Sequence, residues 1–388
     1  MSDDAPLIYI IAGEASGDAL GGKLMAALKE QTGNQLRFSG IGGEHMFNEG
    51  MFPLFPMQEL SMMGFAEIVP HIPNLLKRIK QTVEDIEKKQ PDLVITIDSP
   101  GFTFRVAKQL RKNGIQCPLV HYVAPTVWAY KPERAKKVAN LFDYQLCILP
   151  FEPPYFEAEG MQASFVGHPV VEGWKDKPQK GTYRSAQGID DETCLLAVMP
   201  GSRVGELKKH LSIFREAVHK LSFVHQNLKV VLPTKPHLLP LIEKHAEKWP
   251  VKPHIVTDEV EKRSAMIDSN IALAKSGTIS LECALAGLPM ITTYRVNPLS
   301  YMIAKRIVKT EYVNLINILC EKEVVPELLQ EQCRPDLLAK ELDSLFKDKH
   351  RRATQREAFY AGLKKLGMEE PETASSKAAR IVLQLLQA

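Results

Sequence analysis

The sequence predicts an α/β protein made of two doubly wound, Rossmann-like domains that face a cleft. Short apolar runs of strand length alternate with longer amphipathic segments, which is typical of βα units and parallel sheets. This alternation occurs twice, on either side of a polar stretch at 172–192. The chain of 388 residues is also longer than one ordinary core requires, so two domains are expected.

The first predicted domain spans 1–171. It begins with the apolar strand 7–13, which is followed by a helix from about Ser16 to Lys29. Further strands are predicted at 37–43, 92–98, 118–124 and 144–150, with helices around 71–89 and 103–113. The segment FVGHPV (165–170) ends this domain.

A linker is predicted at 172–192, where Lys, Asp, Gly and Gln are frequent and periodicity is weak. The second predicted domain spans 193–350. The C-terminal helices at 351–388 follow it, with the option of packing back on the first domain. Strands of the second domain are predicted at 194–203, 228–234, 254–257, 271–277 and 289–295, with helices around 205–224 and 237–248.

Composition and charge exclude several classes of protein. An apolar fraction of 45% and a charged fraction of 24% are typical of a globular protein, and a net charge of +3 gives no argument for nucleic acid as a partner. Apolar runs stay below the ~18 residues of a membrane-spanning helix. The acidic start MSDDAP lacks the basic region of a secretion signal. The six dispersed cysteines include no C-x-x-C pair, so free thiols in a reducing cytoplasm are expected.

The segment LAKSGTISLECALAGLPMITTYRV (273–296) predicts a nucleotide site. Ser276, Gly277 and Thr278 form a turn that ends a strand and caps a helix, where backbone N–H groups and the helix dipole favour phosphate. Glu282 lies four residues after Thr278 on the same helical face. A carboxylate there can accept hydrogen bonds from ribose hydroxyls. The alternative is an ordinary, partly exposed helix glutamate.

A second strand-end turn, MPGSR (199–203), opens the second domain. Gly201 allows the backbone to approach a ligand, Ser202 can cap the next helix, and Arg203 offers a planar guanidinium for phosphate oxygens. The alternative is a solvated loop arginine. We expect both turns at one edge of the sheet, because ligands of open parallel sheets bind at the carboxyl ends of the strands.

The first domain carries two further strand-end motifs. IAGEASGDALGG (11–22) fits neither G-x-G-x-x-G nor a P-loop. Its glycines allow close approach of a ligand, with Glu14 and Ser16 as hydrogen-bonding groups, and tight packing of the helix on the strand is the alternative. ITIDSPGF (95–102) places Asp98 at a strand tip, where it can act as a general base or only cap the next turn.

Trp128 and Tyr130 follow another strand end and form a candidate wall for a sugar or an acyl chain, although aromatic loops are also ordinary packing. No D-x-D pair, no H-E-x-x-H motif and no G-x-S-x-G motif occurs in the sequence. A catalytic metal is therefore disfavoured, and no cofactor is expected.

In this order, the motifs resemble those of the lipid-A-disaccharide synthase family across nearly the whole chain. The segments that carry the resemblance are AGEASGD (12–18), MGFAEIV (63–69), IDSPGF (97–102), HYVAPTVWAY (121–130), LPFE (149–152), GHP (167–169), PGSR (200–203), SGTISLE (276–282) and VKTEYVNLINIL (308–319). Nine segments in register are specific to the family rather than to its fold. Small departures at Ala15 and after GHP touch no proposed catalytic group.

The resemblance implies the GT-B fold and an inverting, metal-independent glycosyltransferase of lipid A biosynthesis. The donor would be UDP-2,3-diacylglucosamine, the acceptor 2,3-diacylglucosamine 1-phosphate, and the products the β-1,6-linked disaccharide 1-phosphate and UDP. Carried over by position, Glu282 would bind ribose, Arg203 the diphosphate and Asn317 the donor in the C-terminal domain. Asp98 and Glu14 would lie near the reacting centre, on the acceptor side.

Two other functions remain open from the sequence. A non-hydrolysing UDP-sugar epimerase shares the architecture and a nucleotide-binding glutamate, but it needs no apolar surface. A non-catalytic UDP-binding module would bind UDP and turn nothing over.

Acylated substrates require a lipid-facing surface, and the stretch 46–65 is the candidate. It holds five Met and four Phe in 20 residues without Lys or Arg. Methionine and phenylalanine make an adaptable apolar surface. We expect Phe52, Phe55 and Met62 to contact lipid.

Two basic and apolar segments extend this expectation. HIPNLLKRIKQ (71–81) has apolar residues at helical spacing beside Lys and Arg, which is typical of an interfacial helix, and YMIAKRIVK (301–309) has a similar composition. Core helices with solvated lysines are the alternative. Peripheral binding to the cytoplasmic face of the inner membrane is therefore expected, and a homo-oligomer is left open.

Overall fold

The computed structural model describes residues 5–61, 68–297, 301–302, 307–308 and 310–387. The chain divides into two units. Unit 1 runs from the N-terminus to Glu172 and includes the C-terminal segment from Glu369, and unit 2 spans Gly173–Met368. Among the helices of the described ranges, none combines the length and the apolar character that a bilayer crossing demands.

Unit 1 is built on a sheet of six parallel strands. They are β1 Leu7–Ala12, β2 Arg37–Ile41, β3 Leu93–Ile97, β4 Leu119–Tyr122, β5 Tyr144–Cys147 and β6 Gln162–Phe165. The strands lie in the order β2-β1-β3-β4-β5-β6. The helices are α1 Ala15–Thr32, α2 Glu44–Asn48, α3 Gln58–Ser61, α4 Ile68–Lys89, α5 Pro100–Lys112, α6 Arg134–Ala139, α7 Pro153–Glu157 and α8 Pro169–Glu172.

Strand β1 shows why this sheet is covered on both faces. All six of its residues, LIYIIA, are buried. Alternate side chains of a strand point to opposite faces. Accordingly Ile8 and Ile10 belong to one core cluster, and Tyr9 and Ile11 belong to another. A continuous apolar run, rather than an alternating one, is what a parallel sheet between two helical layers requires.

Unit 2 has the same construction. Its parallel strands are β7 Leu195–Met199, β8 Lys229–Pro233, β9 Pro253–Val256, β10 Ile271–Lys275, β11 Met290–Tyr294 and β12 Glu327–Leu329. They lie in the order β12-β11-β10-β7-β8-β9. The helices are α9 Thr182–Ala186, α10 Val204–Ser222, α11 Leu239–Ala246, α12 Glu259–Asp268, α13 Ile279–Leu285, α14 Leu315–Cys320, α15 Pro335–Lys347 and α16 Lys349–Lys365.

The direction of strand addition reverses once in each sheet, between β1 and β3 in unit 1 and between β7 and β10 in unit 2. Ala12 pairs with Ile97 at the first reversal, and Met199 pairs with Ala274 at the second. The segments that leave these paired strands therefore start side by side. Open α/β sheets bind ligands in the crevice at such a point, outside the carboxyl ends of the strands.

The C-terminal helices have different partners. The last helix, α17 (Ala374–Leu386), packs on α1 in unit 1. The backbone N–H of Ser375 donates to Glu172 at 3.1 Å and its hydroxyl donates at 2.9 Å. Helix α16 packs against α13 and α14 in unit 2, where Gln355 bonds to both backbone groups of Met290. The predicted segment 351–388 thus contains two elements that belong to different units.

The predicted fold class is confirmed, since both units are doubly wound α/β layers. The sequence prediction lacked β6, β12, α12 and α15, as well as the described helices of four to six residues. Strands β6 and β12 have four and three residues, and neither is a continuous buried apolar run. Helix α12 follows Asp258, whose carboxylate accepts from the N–H groups of Val260 and Glu261. This N-cap was the available signal.

Candidate active site

The two phosphate-type turns meet at the reversal point of unit 2. The segment Pro200–Arg203 leaves β7, and the turn at Ser276 and Gly277 leaves β10, which is the neighbouring strand. Residues 75 positions apart in sequence are thereby brought to one sheet edge. The two turns therefore lie side by side, as the sequence predicts.

An ion pair that sequence analysis missed joins the two turns. Lys275 Nζ lies 2.9 Å from Glu206 Oε1, and the backbone N–H of Ser202 donates to Glu206 Oε2 at 2.9 Å. Burial alone raises the pKa of Glu206, but Lys275 and the Ser202 N–H outweigh it, so the pKa lies below its ordinary value. The carboxylate is charged at neutral pH and fixes the loop after β7.

The close approach of this loop explains Gly201. Its φ of +129° is unfavourable for residues with a side chain, and an added Cβ would lie 2.6 Å from Glu206 Oε2. Arg203 is different, because its side chain is 72% exposed and lies 3.7 Å from Glu206 Oε1. The loop after β7 is therefore fixed by Glu206 at Gly201 and Ser202, whereas the Arg203 side chain is exposed.

Ser276 supplies a polar group without a partner. Its side chain is buried, with 4% of the residue exposed, and its hydroxyl has no hydrogen-bond partner among the described residues. Its backbone N–H donates to the Thr293 carbonyl at 2.9 Å. Buried polar atoms are nearly always bonded in native proteins. A ligand at this turn would satisfy the hydroxyl.

Glu282 is half-buried and ion-paired. Its Oε2 lies 2.8 Å from Lys262 Nζ of α12, and the two side chains are 19% and 16% exposed. Burial lowers the pKa of Lys262, but Glu282 and then Glu259 outweigh it and raise that pKa above its ordinary value. Thr278, at the start of α13, is exposed and makes no capping bond through its side chain.

His210 links the helix after β7 to the residue that follows β11. Its Nδ1 donates to the Glu206 carbonyl at 2.8 Å, and its Nε2 accepts from the N–H of Arg295 at 3.2 Å. Burial lowers the pKa of His210, so the ring is neutral. It stacks on Tyr294, whose ring lies 4.8 Å from Lys275 Nζ.

Asn317 has a structural environment that argues against a direct ligand contact. The residue is fully buried. Its amide donates to the Val325 carbonyl and to Glu327 Oε1, both at 2.8 Å. Its oxygen accepts from the N–H groups of Val324 and Val325. All four hydrogen-bonding positions are occupied, so Asn317 holds the loop before β12 instead.

In unit 1 the segments after β1 and β3 lie against each other. An added Cβ on Gly13 would lie 2.6 Å from Ser99 Oγ. Asp98 and Ser99 both have positive φ, +47° and +49°. Such backbone strain in non-glycine residues clusters at functional sites. Glu14 is exposed at the start of α1, so the structure brings the loops of Glu14 and Asp98 to one sheet edge.

The backbone around Asp98 is held by two hydrogen bonds. Its N–H donates to the Tyr122 carbonyl at 2.9 Å, and the Thr103 hydroxyl donates to its carbonyl at 2.8 Å. Ser16 is exposed in the first turn of α1. Asp18 of the same motif is buried and caps α2, since it accepts from the N–H groups of Gly43, His45 and Met46. The aspartate of AGEASGD is therefore structural.

Trp128 is half-buried and tied to a carboxyl group that sequence analysis did not single out. Its Nε1 donates to Glu152 Oε1 at 3.3 Å, and Glu152 Oε2 accepts from the N–H groups of Ile148 and Leu149. Burial raises the pKa of Glu152 to about 7, against the opposing effect of these donors. The motif LPFE thus places a titratable group beside the predicted aromatic wall.

The predicted lipid contacts separate into three cases. Phe52 is 77% exposed and packs edge-to-face on Phe47, which is 49% exposed. Phe55 was wrongly predicted at the surface, because it is 4% exposed and lies in the core beneath the Arg78 guanidinium. Met62 lies outside the described residues. Of the apolar residues in 71–81, Leu75 and Ile79 are buried, whereas Ile72 and Leu76 are exposed.

Two doubly wound units, each with turns that follow the strands at the reversal point, define an α/β protein of the GT-B fold class. The structure is similar to that of UDP-N-acetylglucosamine 2-epimerase from Rickettsia bellii, with a TM-score of 0.64, 13% identity, and coverage of 98% of this chain and 97% of that chain. A likeness at this identity shows the fold alone.

The sequence model of the lipid-A-disaccharide synthetase family matches residues 8–382, and the chain belongs to this family. It is 43% identical over 380 residues to the lipid-A-disaccharide synthase of Rhodospirillum centenum, covering 98% of this chain and 94% of the relative. It is 44% identical over 383 residues to that of Paramagnetospirillum magneticum, covering 98% of each. The predicted family is confirmed, the chain is a glycosyltransferase, and the epimerase alternative is not favoured.

Proposed function

We propose that the chain transfers 2,3-diacylglucosamine from UDP to the 6-hydroxyl of 2,3-diacylglucosamine 1-phosphate. The products are the β-1,6-linked lipid A disaccharide 1-phosphate and UDP. The observation that carries the proposal is the pair of turns at the ends of β7 and β10. The buried hydroxyl of Ser276 in one turn has no hydrogen-bond partner among the described residues, Arg203 is exposed in the other, and Glu282 lies in the helix that follows Ser276. Family membership supplies the substrate class.

In this proposal unit 2 holds the donor nucleotide. The Gly201 backbone, the Ser202 hydroxyl and the turn from Ser276 to Thr278 receive the diphosphate together with Arg203, while the Ser202 N–H stays bonded to Glu206. The exposure of Arg203 and the rigid loop base built on Glu206 support this role, because the guanidinium is free to move onto a ligand while the loop keeps its shape. Glu282 accepts from the ribose hydroxyls, and the Lys262 contact holds its carboxylate in one position.

Unit 1 supplies the acceptor side, with Asp98 as general base. The acceptor 6-oxygen forms a bond to the anomeric carbon as that carbon's bond to the UDP oxygen breaks. The hydroxyl proton goes to the Asp98 carboxylate, and attack opposite the leaving group inverts the configuration. The strained backbone of Asp98 and Ser99, held by the Tyr122 and Thr103 bonds, supports a positioned carboxylate there. Glu14, which precedes α1, lies near the reacting centre with Asp98, and Ser16 in the first turn of α1 binds the acceptor sugar.

We further propose that unit 1 meets the acylated substrates at the cytoplasmic face of the inner membrane. Phe47 and Phe52 form an exposed aromatic pair, and Ile72 and Leu76 are exposed one helical turn apart on α4. Exposed large apolar side chains in groups mark interaction surfaces. Trp128 contacts an acyl chain or sugar of the bound substrate.

Mass spectrometry of the products made by the purified protein from the two acylated substrates tests this function. A disaccharide 1-phosphate together with UDP is expected, without added metal and in the presence of a chelator. Formation of an isomer of the UDP-sugar alone would identify an epimerase instead. UDP binding without any product would identify a non-catalytic module. Disaccharide formation that the chelator abolishes would contradict metal independence.

A further inference from the structure

A cavity in unit 2 lies at the amino ends of the strands. The two phosphate-type turns, which we call the nucleotide turns, lie at the opposite, carboxyl ends. It has a volume of about 900 Å³ and is lined by residues that precede β7, β10 and β11, together with one face of α16. Asp191 precedes β7, the stretch 267–270 precedes β10, and Ala286 and Gly287 precede β11. A five-residue strand spans about 17 Å. The cavity is therefore separate from the site of the proposed reaction.

The lining is strongly basic. Lys180, Lys349, Arg352 and Arg356 contribute four cations, and none of them has an ion-pair partner among the residues that the structure describes. Unpaired surface cations are common, but four around one cavity concentrate positive potential there. The exposed Asp191 is the carboxylate at the rim that opposes them.

The other two charged lining residues are Asp268 and Arg184, and both bond mainly to backbone groups. The Asp268 carboxylate accepts from the N–H groups of Gly181, Tyr183 and Arg184. The Arg184 guanidinium donates to the carbonyls of Asp268, Asp190 and Thr193 and to Asn270. Most of these hydrogen bonds are to backbone groups. Because the charges of Asp268 and Arg184 are opposite and cancel, this pair leaves the excess positive charge of the four cations unchanged.

The two arginines of α16 that line the cavity are each held by hydrogen bonds from part of the guanidinium group. Arg352 Nη1 donates to the carbonyls of Leu345 and Phe346, and Arg356 Nε donates to the Gly287 carbonyl at 3.0 Å. The remaining N–H groups have no partner within the described part of the chain. Burial, followed by the charge of Arg352, lowers the pKa of Arg356 below its ordinary value. An anion between the two guanidinium groups would relieve this repulsion.

The sequence of α16 adds an independent argument. Its first four residues are Lys349, His350, Arg351 and Arg352, and its first turn contains no acidic residue, although the preceding Asp348 caps the helix by accepting from the N–H of Arg351 at 2.8 Å. Cations at a helix N-terminus are unfavourable, because that end carries a partial positive charge. Of these, Arg351 is paired with Glu341, whereas Lys349 and Arg352 line the cavity. The single carboxylate of Asp348 offsets only part of this positive charge, and the remainder favours an anion beside Lys349 and Arg352.

We propose that this cavity binds a phosphorylated ligand with at least two negative charges. Arg352 and Arg356 would form the inner contacts, and Lys180 and Lys349 the outer ones. A volume of about 900 Å³ lies within the range of small-molecule sites. The phosphate can belong to a soluble metabolite or to a lipid headgroup, which share this chemistry.

Calorimetric titration with inorganic pyrophosphate, in the presence of one equivalent of UDP, tests the site. One equivalent fills the nucleotide turns and leaves little free UDP, which itself carries a diphosphate, to compete for the cavity. The double variant R352Q/R356Q should bind pyrophosphate roughly tenfold or more weakly, because it loses charge-assisted hydrogen bonds. The control K244Q/K248Q removes two exposed cations at the same spacing elsewhere in unit 2 and should leave the affinity unchanged.

A second variant guards against misfolding, since Arg352 and Arg356 also bond to the backbone. Lys180 and Lys349 are exposed, so K180Q/K349Q keeps those anchors and should weaken pyrophosphate several-fold. The proposal is overturned if protein carrying one equivalent of UDP does not bind pyrophosphate, or if the control pair weakens binding as much as the cavity pairs.

Vesicles of phosphatidylcholine with cardiolipin, whose headgroup carries two phosphates, distinguish the two sources. A lipid headgroup is the ligand if R352Q/R356Q reduces co-sedimentation and pyrophosphate competes with the vesicles for the parent protein. A soluble ligand is indicated if pyrophosphate binding depends on the arginines while co-sedimentation does not. UDP binding and product formation are measured alongside, so that failure of this proposal can be told from failure of the proposed reaction.

Discussion

Glu282→Gln is the substitution that tests the nucleotide site most directly. Glutamine keeps the size of the side chain and removes the charge that would accept from ribose. The change also takes a counter-ion from Lys262, whose side chain is 16% exposed. Lys262 retains Glu259, whose Oε2 lies 3.1 Å away but whose side chain is 67% exposed. The fold should therefore survive with a loss below the ~3–5 kcal/mol of breaking a buried pair outright.

The expected loss of UDP affinity follows from the bonds removed. A hydrogen bond to a charged group contributes about 1.5–3 kcal/mol. The amide of glutamine still has an oxygen acceptor, so part of the interaction remains. The net loss is expected at roughly 1–3 kcal/mol, which corresponds to a roughly 5–150-fold higher Kd for UDP. Uridine should lose a similar factor, because it carries the same ribose.

Calorimetry with UDP and uridine measures both affinities, and circular dichroism checks the fold. Glu259→Gln is the matched control, since it removes the other carboxylate beside Lys262 without touching the predicted ribose contact. Unchanged UDP affinity in a folded Glu282→Gln protein would refute the ribose assignment. Equal losses in the two variants would attribute the effect to Lys262 rather than to ribose.

Three further predictions address unit 1. Asp98→Asn should lower kcat by ~10²–10⁴-fold with unchanged UDP affinity, and near-normal turnover would exclude it as the base. Phe47→Ser with Phe52→Ser should reduce liposome binding and activity on long-chain substrates, whereas the equally exposed pair Phe223→Ser with Val224→Ser should not; equal effects of both pairs would contradict this membrane face. Folding raises the pKa of Glu152 to about 7, so the folded protein binds a proton there that the unfolded chain has already lost. The free energy of unfolding should therefore fall as the pH rises from about 4.5 to 7, and this contribution should stay constant above pH 7. Glu152→Gln should flatten this part of a plot of thermal midpoint against pH, and a profile that runs parallel to the parent's would contradict the shift.

Much of the fold could be predicted because parallel strands covered on both faces have a simple signature. The runs that became β1, β3, β7 and β10 are continuous and apolar, and each ends in small or polar residues. The strand order was not predictable. It depends on which side of the first strand each crossover helix packs, and this is decided by long-range contacts rather than by local pattern.

The turns of the candidate site were predicted where local sequence determines them. Gly201 and Ser276 lie in turns that follow strands, and turn chemistry is visible in sequence. Lys262 and Glu206 were missed because their partners lie on other elements, 20 and 69 residues away in sequence. Phe55 was misplaced for a related reason, since composition identifies an apolar stretch without showing which face of it meets the core.

Each unit has a glycine after its first strand, at the strand reversal. An added Cβ at Gly13 would lie 2.6 Å from Ser99 Oγ, on the loop after the neighbouring strand β3, and one at Gly201 would lie 2.6 Å from Glu206 Oε2, on the helix that follows the same strand β7. A side chain at Gly13 would push apart two loops that leave neighbouring strands, and one at Gly201 would displace Glu206 and with it the ion pair to Lys275 of β10. Close packing there leaves the functional groups little freedom, which lowers the entropy lost when a ligand orders them. The requirement for glycine at both reversals is therefore a requirement for preorganisation, although the two loops differ in backbone conformation, since Gly201 has a φ of +129° and the positive φ values of unit 1 lie at Asp98 and Ser99.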